Sequence, residues 1–505
     1  MSAFPLSRRR VLQLAGLGAG AVAVGGAGWG IGAARSADRL TPARTGAPLA
    51  EPPVLRSADG VLAVTLTATA GVPLAGRSTR AFGYNGSAPG PTLRVKPGDR
   101  LRVRLVNQLA EPTNLHTHGL HVSPEGNGDN PFLSVAPGAT FDYDIQLPAD
   151  HPAGTFWYHP HQHPYVAEQV FSGLVGALIV EGGTELPVSR ERVLVLHDTT
   201  LDGEGRVVPA TSDERAAGRE GDWVLVNGQL APALSARPGA AERWRIVNAS
   251  ASRVLSLRLE GHAWTQVGLD GSALPAPRQA DRLLLAPGNR ADVVVTAGAA
   301  GSYRLVAEPY DRGTASMGSA KPASATRPVE LATFAVAGVP MTAATLPTAL
   351  RSAPLPTAAV TQRRRLVMAE LPAAAGSATV MPSMSGMAGM DAMTAGGMSF
   401  TIDGKVFDHD RVDQAVRLGD TEEWTVVNAS LMDHPFHLHV WPFLVIADSS
   451  GAPLSGSLQD VVLVKAGGTA TLRVHFADVT GRSVYHCHIL DHEDAGMMGL
   501  VEVTK

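Results

Sequence analysis

The chain has 505 residues, too many for one hydrophobic core, so two to four domains are expected. Only 17% of residues are charged and 5% aromatic, while 54 glycines and 36 prolines punctuate the sequence, a profile of turn-rich β structure. A net charge of −4 gives no electrostatic case for nucleic acid or an anionic membrane, and the single cysteine, Cys487, excludes an intramolecular disulfide.

The N-terminal stretch "SRRRVLQLAGLGAGAVAVGGAGWGIGAARSA" sets Arg8, Arg9 and Arg10 before a weakly apolar run that ends in small residues near Ala37. Val11–Ala34 is just long enough for a membrane anchor. The run is Gly-rich and only modestly apolar, however, and "SRRRVL" resembles a twin-arginine export signal. Residues 1–37 are therefore read as a signal and 38–52 as a linker. The mature chain is expected in the periplasm or outside the cell, with no membrane association after signal removal.

Three segments then repeat: "KPGDRLRVRLVN" (96–107), "RPGAAERWRIVN" (237–248) and "RLGDTEEWTVVN" (417–428). In each, a turn glycine (Gly98, Gly239, Gly419) precedes an asparagine (Asn107, Asn248, Asn428) by nine residues, with strand-like alternation between them. A second element follows around Gly138, Gly288 and Gly467, and a third begins at Gly154, Gly301 and Gly481. Three ordered elements repeated three times predict an all-β chain of three consecutive β-sandwich domains, at 53–185, 186–340 and 341–505.

The repeats differ in what they carry. Nine and eleven residues after Asn107 come His116 and His118, and the same offsets after Asn428 give His437 and His439. Five and seven residues after Gly154 come His159 and His161; after Gly481 they are His486 and His488. The middle repeat has Leu257 and Leu259, then Val306 and Glu308. On a strand, residues i and i+2 share a face, so each pair presents two imidazoles together. Scattered core histidines would not fall at identical offsets. Imidazole suits copper, zinc, iron and nickel, so the pairs alone do not name the metal.

Cys487 stands between His486 and His488 and faces the other side of an extended strand. His434 lies upstream, and His492 and Met497 follow five and ten residues on. A lone cysteine near a histidine could be a nucleophile or an inert buried thiol. Two histidines, a thiolate and a distant thioether are also the ligand set of a blue-copper electron-transfer site. On that reading an electron taken up beside Cys487 passes along the Cys-His backbone to a cluster shared by the outer repeats. The middle repeat is then a structural spacer.

"HTHG", "WYHPHQH", "HPFHLH" and "HCHILDHEDAGMM" together resemble the motifs of the multicopper oxidases, the laccase-like three-domain cupredoxin enzymes, over nearly the whole exported chain. The resemblance implies three cupredoxin-like Greek-key sandwiches and four copper ions per chain. Type 1 copper would take His434, Cys487, His492 and axial Met497. Type 2 would take His116 and His437, and the type 3 pair His118, His159, His161, His439, His486 and His488. His121 and His163 fall outside the repeat offsets. Four one-electron oxidations would be coupled to reduction of O2 to water, with Glu493 and Asp129 as the acids beside the cluster.

Residues 381–398 hold Met381, Met384, Met387, Met390, Met393 and Met398. A threefold spacing can make a packed helical stripe, but Pro382, Gly386 and Gly389 make a poor helix, and soft thioethers select Cu(I). The resemblance extends to periplasmic cuprous oxidases with a Met-rich insert over the type 1 site, with Met432 matching a substrate-copper ligand. Their acid is replaced here by Ser430, leaving Asp433 and Asp391 as candidates. Cu(I) oxidation in copper tolerance is the expected activity, by a monomer, with phenols or aromatic amines as the laccase alternative. A copper-buffering protein would not need the full oxidase set, a nitrite reductase would use fewer domains, and a degenerate envelope-assembly relative would have lost ligands.

Overall fold

A computed structural model describes residues 46–314, 322–372, 398–451 and 454–505. The export signal and Met381, Met384, Met387, Met390, Met393 and Asp391 lie outside these residues. The described chain forms six sheets, two in each of three successive units. The second and third units have the same strand order in both a six-stranded and a five-stranded sheet. The first varies the same plan with five- and four-stranded sheets. Apolar residues on the facing sides make a separate core in each unit, around Leu101, Val103 and Leu105, then Trp244 and Ile246, then Trp424 and Val426.

The first repeated segment is the same strand each time: Arg100–Asn107, Ala241–Asn248 and Thr421–Asn428. Its turn glycines, Gly98, Gly239 and Gly419, have φ of +85°, +78° and +92°, a conformation only glycine adopts without strain. Its terminal asparagines are fully buried. In each, the side-chain amide donates to two backbone carbonyls: Glu111 and Val135 for Asn107, Arg253 and Leu285 for Asn248, Met432 and Val464 for Asn428. Each side-chain oxygen accepts the backbone N–H two residues on, from Leu109, Ser250 and Ser430. The asparagine thus ties the end of its strand to the segment leading into the next sheet. That segment carries the first histidine pair in the outer units.

The elements bearing histidines are paired neighbours. Strand His116–His118 runs antiparallel to Gly154–His159, with His116 opposite His159. Strand His434–Leu438 runs antiparallel to Gly481–Cys487, with His437 opposite His486. The equivalent middle strands, Leu255–Leu259 and Gly301–Glu308, bury Leu257 and Leu259 in an apolar core.

Candidate metal centres

Eight histidines from the first and third units converge at one place. His116 stacks on His439 with ring centroids 3.9 Å apart, and His118 on His437 at 3.9 Å, so the two H-x-H pairs face each other across the interface. His161 Nε2 and His439 Nε2 lie 3.3 Å and 3.1 Å from His486 Nε2. Three nitrogens held about 2.0 Å from one cation stand roughly 3.3–3.5 Å apart. His116, His118 and His159 form a second group of converging nitrogens, and His116, His437 and His439 a third. All eight rings are buried.

Their outer nitrogens are held by acceptors. His116 Nδ1 lies 2.9 Å from Asp129 Oδ2, whose Oδ1 accepts from Thr117 N. His437 Nδ1 donates to the Asp460 carbonyl at 2.7 Å, and His159 Nδ1 to the Pro160 carbonyl at 2.7 Å. These bonds fix the tautomer and leave the Nε2 lone pairs of His116, His159 and His437 facing inward, buried and without a hydrogen-bond partner. Burial, with repulsion from neighbouring imidazoles, holds His118, His159, His437 and His439 well below their usual pKa of 6.5. Burial likewise lowers His161 and His488 to about 3. At neutral pH these groups are neutral donors, as a metal requires.

A second centre lies on the other side of strand Gly481–Cys487. Cys487 Sγ is 3.2 Å from His434 Nδ1 and 4.0 Å from His492 Nδ1, and the two nitrogens are 3.4 Å apart. His492 Nε2 donates to the Ala216 carbonyl at 3.0 Å, which turns Nδ1 toward the sulfur. Phe400 stacks on the His492 ring at 4.1 Å. Met497 is fully buried in the same core, and its carbonyl accepts from Cys487 N. Burial opposes charge on His434, yet Cys487 and Glu370 outweigh it and push the ring up to about 10. A field that favours a proton there also favours a metal cation.

The family follows from the sequence that builds these centres. Residues 65–185, 190–334 and 380–505 each match a family model described as multicopper oxidase. The chain belongs to the multicopper oxidase family. A solved multicopper oxidase from Campylobacter jejuni, described as a metallo-oxidase, superposes with a TM-score of 0.79 at 31% identity, over 91% of this chain and 96% of that one. Multicopper oxidase mco of Staphylococcus aureus is 29% identical over 85% of both chains. A protein named cell division protein FtsP, from Edwardsiella tarda, is 30% identical over 99% of both. This multicopper oxidase is therefore an all-β oxidoreductase whose family metal is copper. The inward-facing, unpartnered imidazole nitrogens and the His434–Cys487–His492 group fit that metal.

Both candidate acids touch the eight-histidine group. Glu493 Oε2 is 3.0 Å from His486 Nδ1 and Oε1 is 3.3 Å from His161 Nε2. Burial raises the Glu493 pKa, but these imidazoles outweigh it and bring it to about 2. Asp129 sits behind His116. The two histidines left aside lie elsewhere: His121 bonds the Val440 carbonyl and Asp478, and His163 lies 3.6 Å from Asp494.

Met432, the candidate substrate-copper ligand, is fully buried in the third core. Met398 starts strand Met398–Ile402 and is part-buried against that core. Asp433 is not a free acid, because it is tied to Tyr310, Lys465 and Ala466 N. Among the described residues, the acid that meets the cysteine centre is Glu370. Its Oε1 lies 3.1 Å from His434 Nε2, with the side chain 3% exposed. The middle unit is more than a spacer, since it supplies the Ala216 carbonyl to His492 and brings Gly288 and Arg290 against His118.

Proposed function

We propose that this chain is an exported, monomeric copper oxidase whose main reductant is Cu(I), built of domains 53–185, 186–340 and 341–505. The observation that carries the reading is the backbone His486–Cys487–His488, with its sulfur beside His434 and its imidazoles against His439 and His118. In this reading His434, Cys487, His492 and Met497 hold a type 1 copper. His116 and His437 hold a type 2 copper, and His118, His159, His161, His439, His486 and His488 a type 3 pair. Copper bound there supplies one-electron oxidation at the cysteine centre and four-electron reduction of O2 to water at the cluster.

The protein's own part is positioning and proton supply. Asp129 and the Asp460 and Pro160 carbonyls hold His116, His437 and His159 in one tautomer. Glu493, in contact with His486 and His161 and held as a carboxylate at neutral pH, is placed to take up protons and relay them toward the cluster. A role in cell division alone, the one carried in the printed name of the FtsP relative, would leave this set without a task.

Cu(I) is favoured by the strands that bracket the methionine run. Strand Gln362–Pro372 pairs with Met398–Ile402, with Pro372 opposite Met398 and Glu370 opposite Phe400. Glu370 meets His434 and Phe400 stacks on His492, so the strands flanking the run, ending at Pro372 and beginning at Met398, lie beside the cysteine centre. Glu370 is then the acid that guides a cation to the outer edge of His434, the task expected of Asp433 or Asp391. Exposed Leu371 and Leu431, next in sequence to Glu370 and Met432, favour an aromatic reductant as a second substrate class. Among the described residues no helix is long and apolar enough to cross a membrane.

The test replaces residues 373–397 by an Asn-Gly turn, which closes a hairpin between the paired Pro372 and Met398. O2 consumption is measured with Cu(I) and with a phenol. Loss of Cu(I) oxidation with phenol oxidation kept or increased is expected. Unchanged Cu(I) kinetics would remove the methionines from the proposal, and absence of blue colour or O2 uptake in the intact copper-loaded protein would end the oxidase reading.

A further inference from the structure

The middle unit holds no group of converging metal-ligating side chains among the described residues, yet it places a buried guanidinium against the histidines. Arg290 is wholly buried at the start of strand Arg290–Thr296. It makes a two-pronged bond to Asp460 of the third unit, Nη1 to Oδ1 at 2.6 Å and Nη2 to Oδ2 at 2.5 Å. Its Nε donates to the Thr155 carbonyl of the first unit, four residues before His159, and its Nη1 to the Gly288 carbonyl. One side chain thus bonds all three units.

The pair it forms touches two rings of the cluster. Asp460 accepts His437 Nδ1 through its carbonyl, and its Oδ1 lies 3.4 Å from His118 Nδ1. Arg290 Nη1 is also 3.4 Å from His118 Nδ1. Behind the pair, Asp270 accepts Arg290 N with Oδ1 and Asp460 N and Val461 N with Oδ2, fixing both backbones. There is no slack on the histidine side. A Cβ on Gly119, next to His118, would collide with Arg290 Nη2 and Asp460 Oδ2. A Cβ on Gly288 would come within 3.0 Å of His488 and 3.1 Å of His118.

We propose that Arg290 and Asp460 are a positioning pair through which the middle unit sets the His118–His437 side of the cluster and so governs copper occupancy there. The inference rests on the copper-cluster reading above. Two stacked rings, one from each outer unit, must present nitrogens to neighbouring ions of one cluster, and neither outer unit alone fixes their separation. The planar guanidinium does so by bonding the first unit's backbone and the third unit's carboxylate at once. A lysine would keep the charge and lose the fork. Partners that orient ligating histidines govern metal affinity by about 10- to 100-fold when removed.

The experiment compares wild type, Arg290→Lys and Asp460→Asn with Arg192→Lys. The last alters an equally buried pair, Arg192–Glu242, in the same unit and apart from the cluster. Each is titrated with copper, and total copper, blue absorbance and the paramagnetic signal of the cluster's mononuclear copper are recorded. Melting of the copper-free proteins gives the stability loss of each variant. The expected result is cluster affinity reduced about 10- to 100-fold in Arg290→Lys and Asp460→Asn, with blue absorbance kept. Arg192→Lys should lose stability without that selectivity. Asp460→Asn retains the carbonyl that holds His437, so it keeps the test alive if Arg290→Lys does not fold. Equal cluster affinity in wild type and both cluster variants overturns the proposal, as does a loss matched by Arg192→Lys at equal stability. Failure of wild type to take up cluster copper overturns instead the reading on which it rests.

Discussion

At the scale of single residues, each ligand candidate depends on the atom behind it. His492 presents Nδ1 to Cys487 because Nε2 is bonded to the Ala216 carbonyl, and His437 presents Nε2 because Nδ1 is bonded to Asp460. Cys487→Ser should abolish blue absorbance and remove one copper per chain while the cluster's paramagnetic signal persists, because the sulfur alone faces His434 and His492. Glu493→Gln keeps the shape and removes the proton carrier. Re-oxidation of reduced enzyme by O2 should then slow by about 100-fold with blue absorbance unchanged, as followed by stopped flow. Glu370→Gln should raise KM for Cu(I) several-fold and leave a neutral phenol's KM unmoved, a split that separates cation guidance from general damage.

At the scale of elements, the buried asparagines explain why the same strand recurs. Asn107, Asn248 and Asn428 each satisfy two carbonyls and one N–H that would otherwise be buried without partners. Asn248→Ala orphans these groups in the unit that carries no histidine pair. It should cost about 3 kcal/mol in urea unfolding, with copper content retained at low denaturant. The same paired strands that bury Leu257 and Leu259 in the middle unit bring His116 opposite His159 and His437 opposite His486 in the outer ones. A single sandwich plan therefore serves as core or as metal scaffold, according to two side chains per strand.

At the scale of the whole molecule, the copper-free protein carries buried neutral imidazoles that an unfolded chain would protonate near pH 6.5. For His118, His159, His437, His439 and His492 the folded pKa is well below that value, and for His161 and His488 it is about 3. Between about pH 6.5 and 3 the unfolded chain thus binds more protons. Stability is full above 6.5 and falls with pH, by about 1.4 kcal/mol per pH unit for each proton of difference. Glu493 has the same sign, its contribution present above its usual 4.5 and lost as pH falls toward about 2. His434, raised to about 10, acts oppositely, stabilising below 6.5 and losing that contribution as pH rises toward 10. Urea unfolding of the copper-free chain from pH 7 to 4 should show a steep loss dominated by the lowered histidines. Copper should blunt it by binding the folded state.

Periodicity and repetition alone determined the all-β class, the three units and the pairing of histidines, because strand alternation and turn glycines are local and a repeat displays them three times. The H-x-H offsets and Cys487 between two histidines were legible for the same reason. What only the tertiary structure decided is what stands behind and beside those ligands. Glu370 is 64 residues from His434 in the chain and reaches it through sheet pairing beside the methionine run. Asp460 and Arg290 meet only where three units join, and their one trace in the sequence is an arginine where the other repeats have Thr140 and Thr469, two residues past the second-element glycine. Asp433 looked free because its lysine and tyrosine partners are distant in sequence. Ligand spacing is a property of one strand. The charges and carbonyls that orient the ligands come from other units, and burial sets their strength, which no local pattern records.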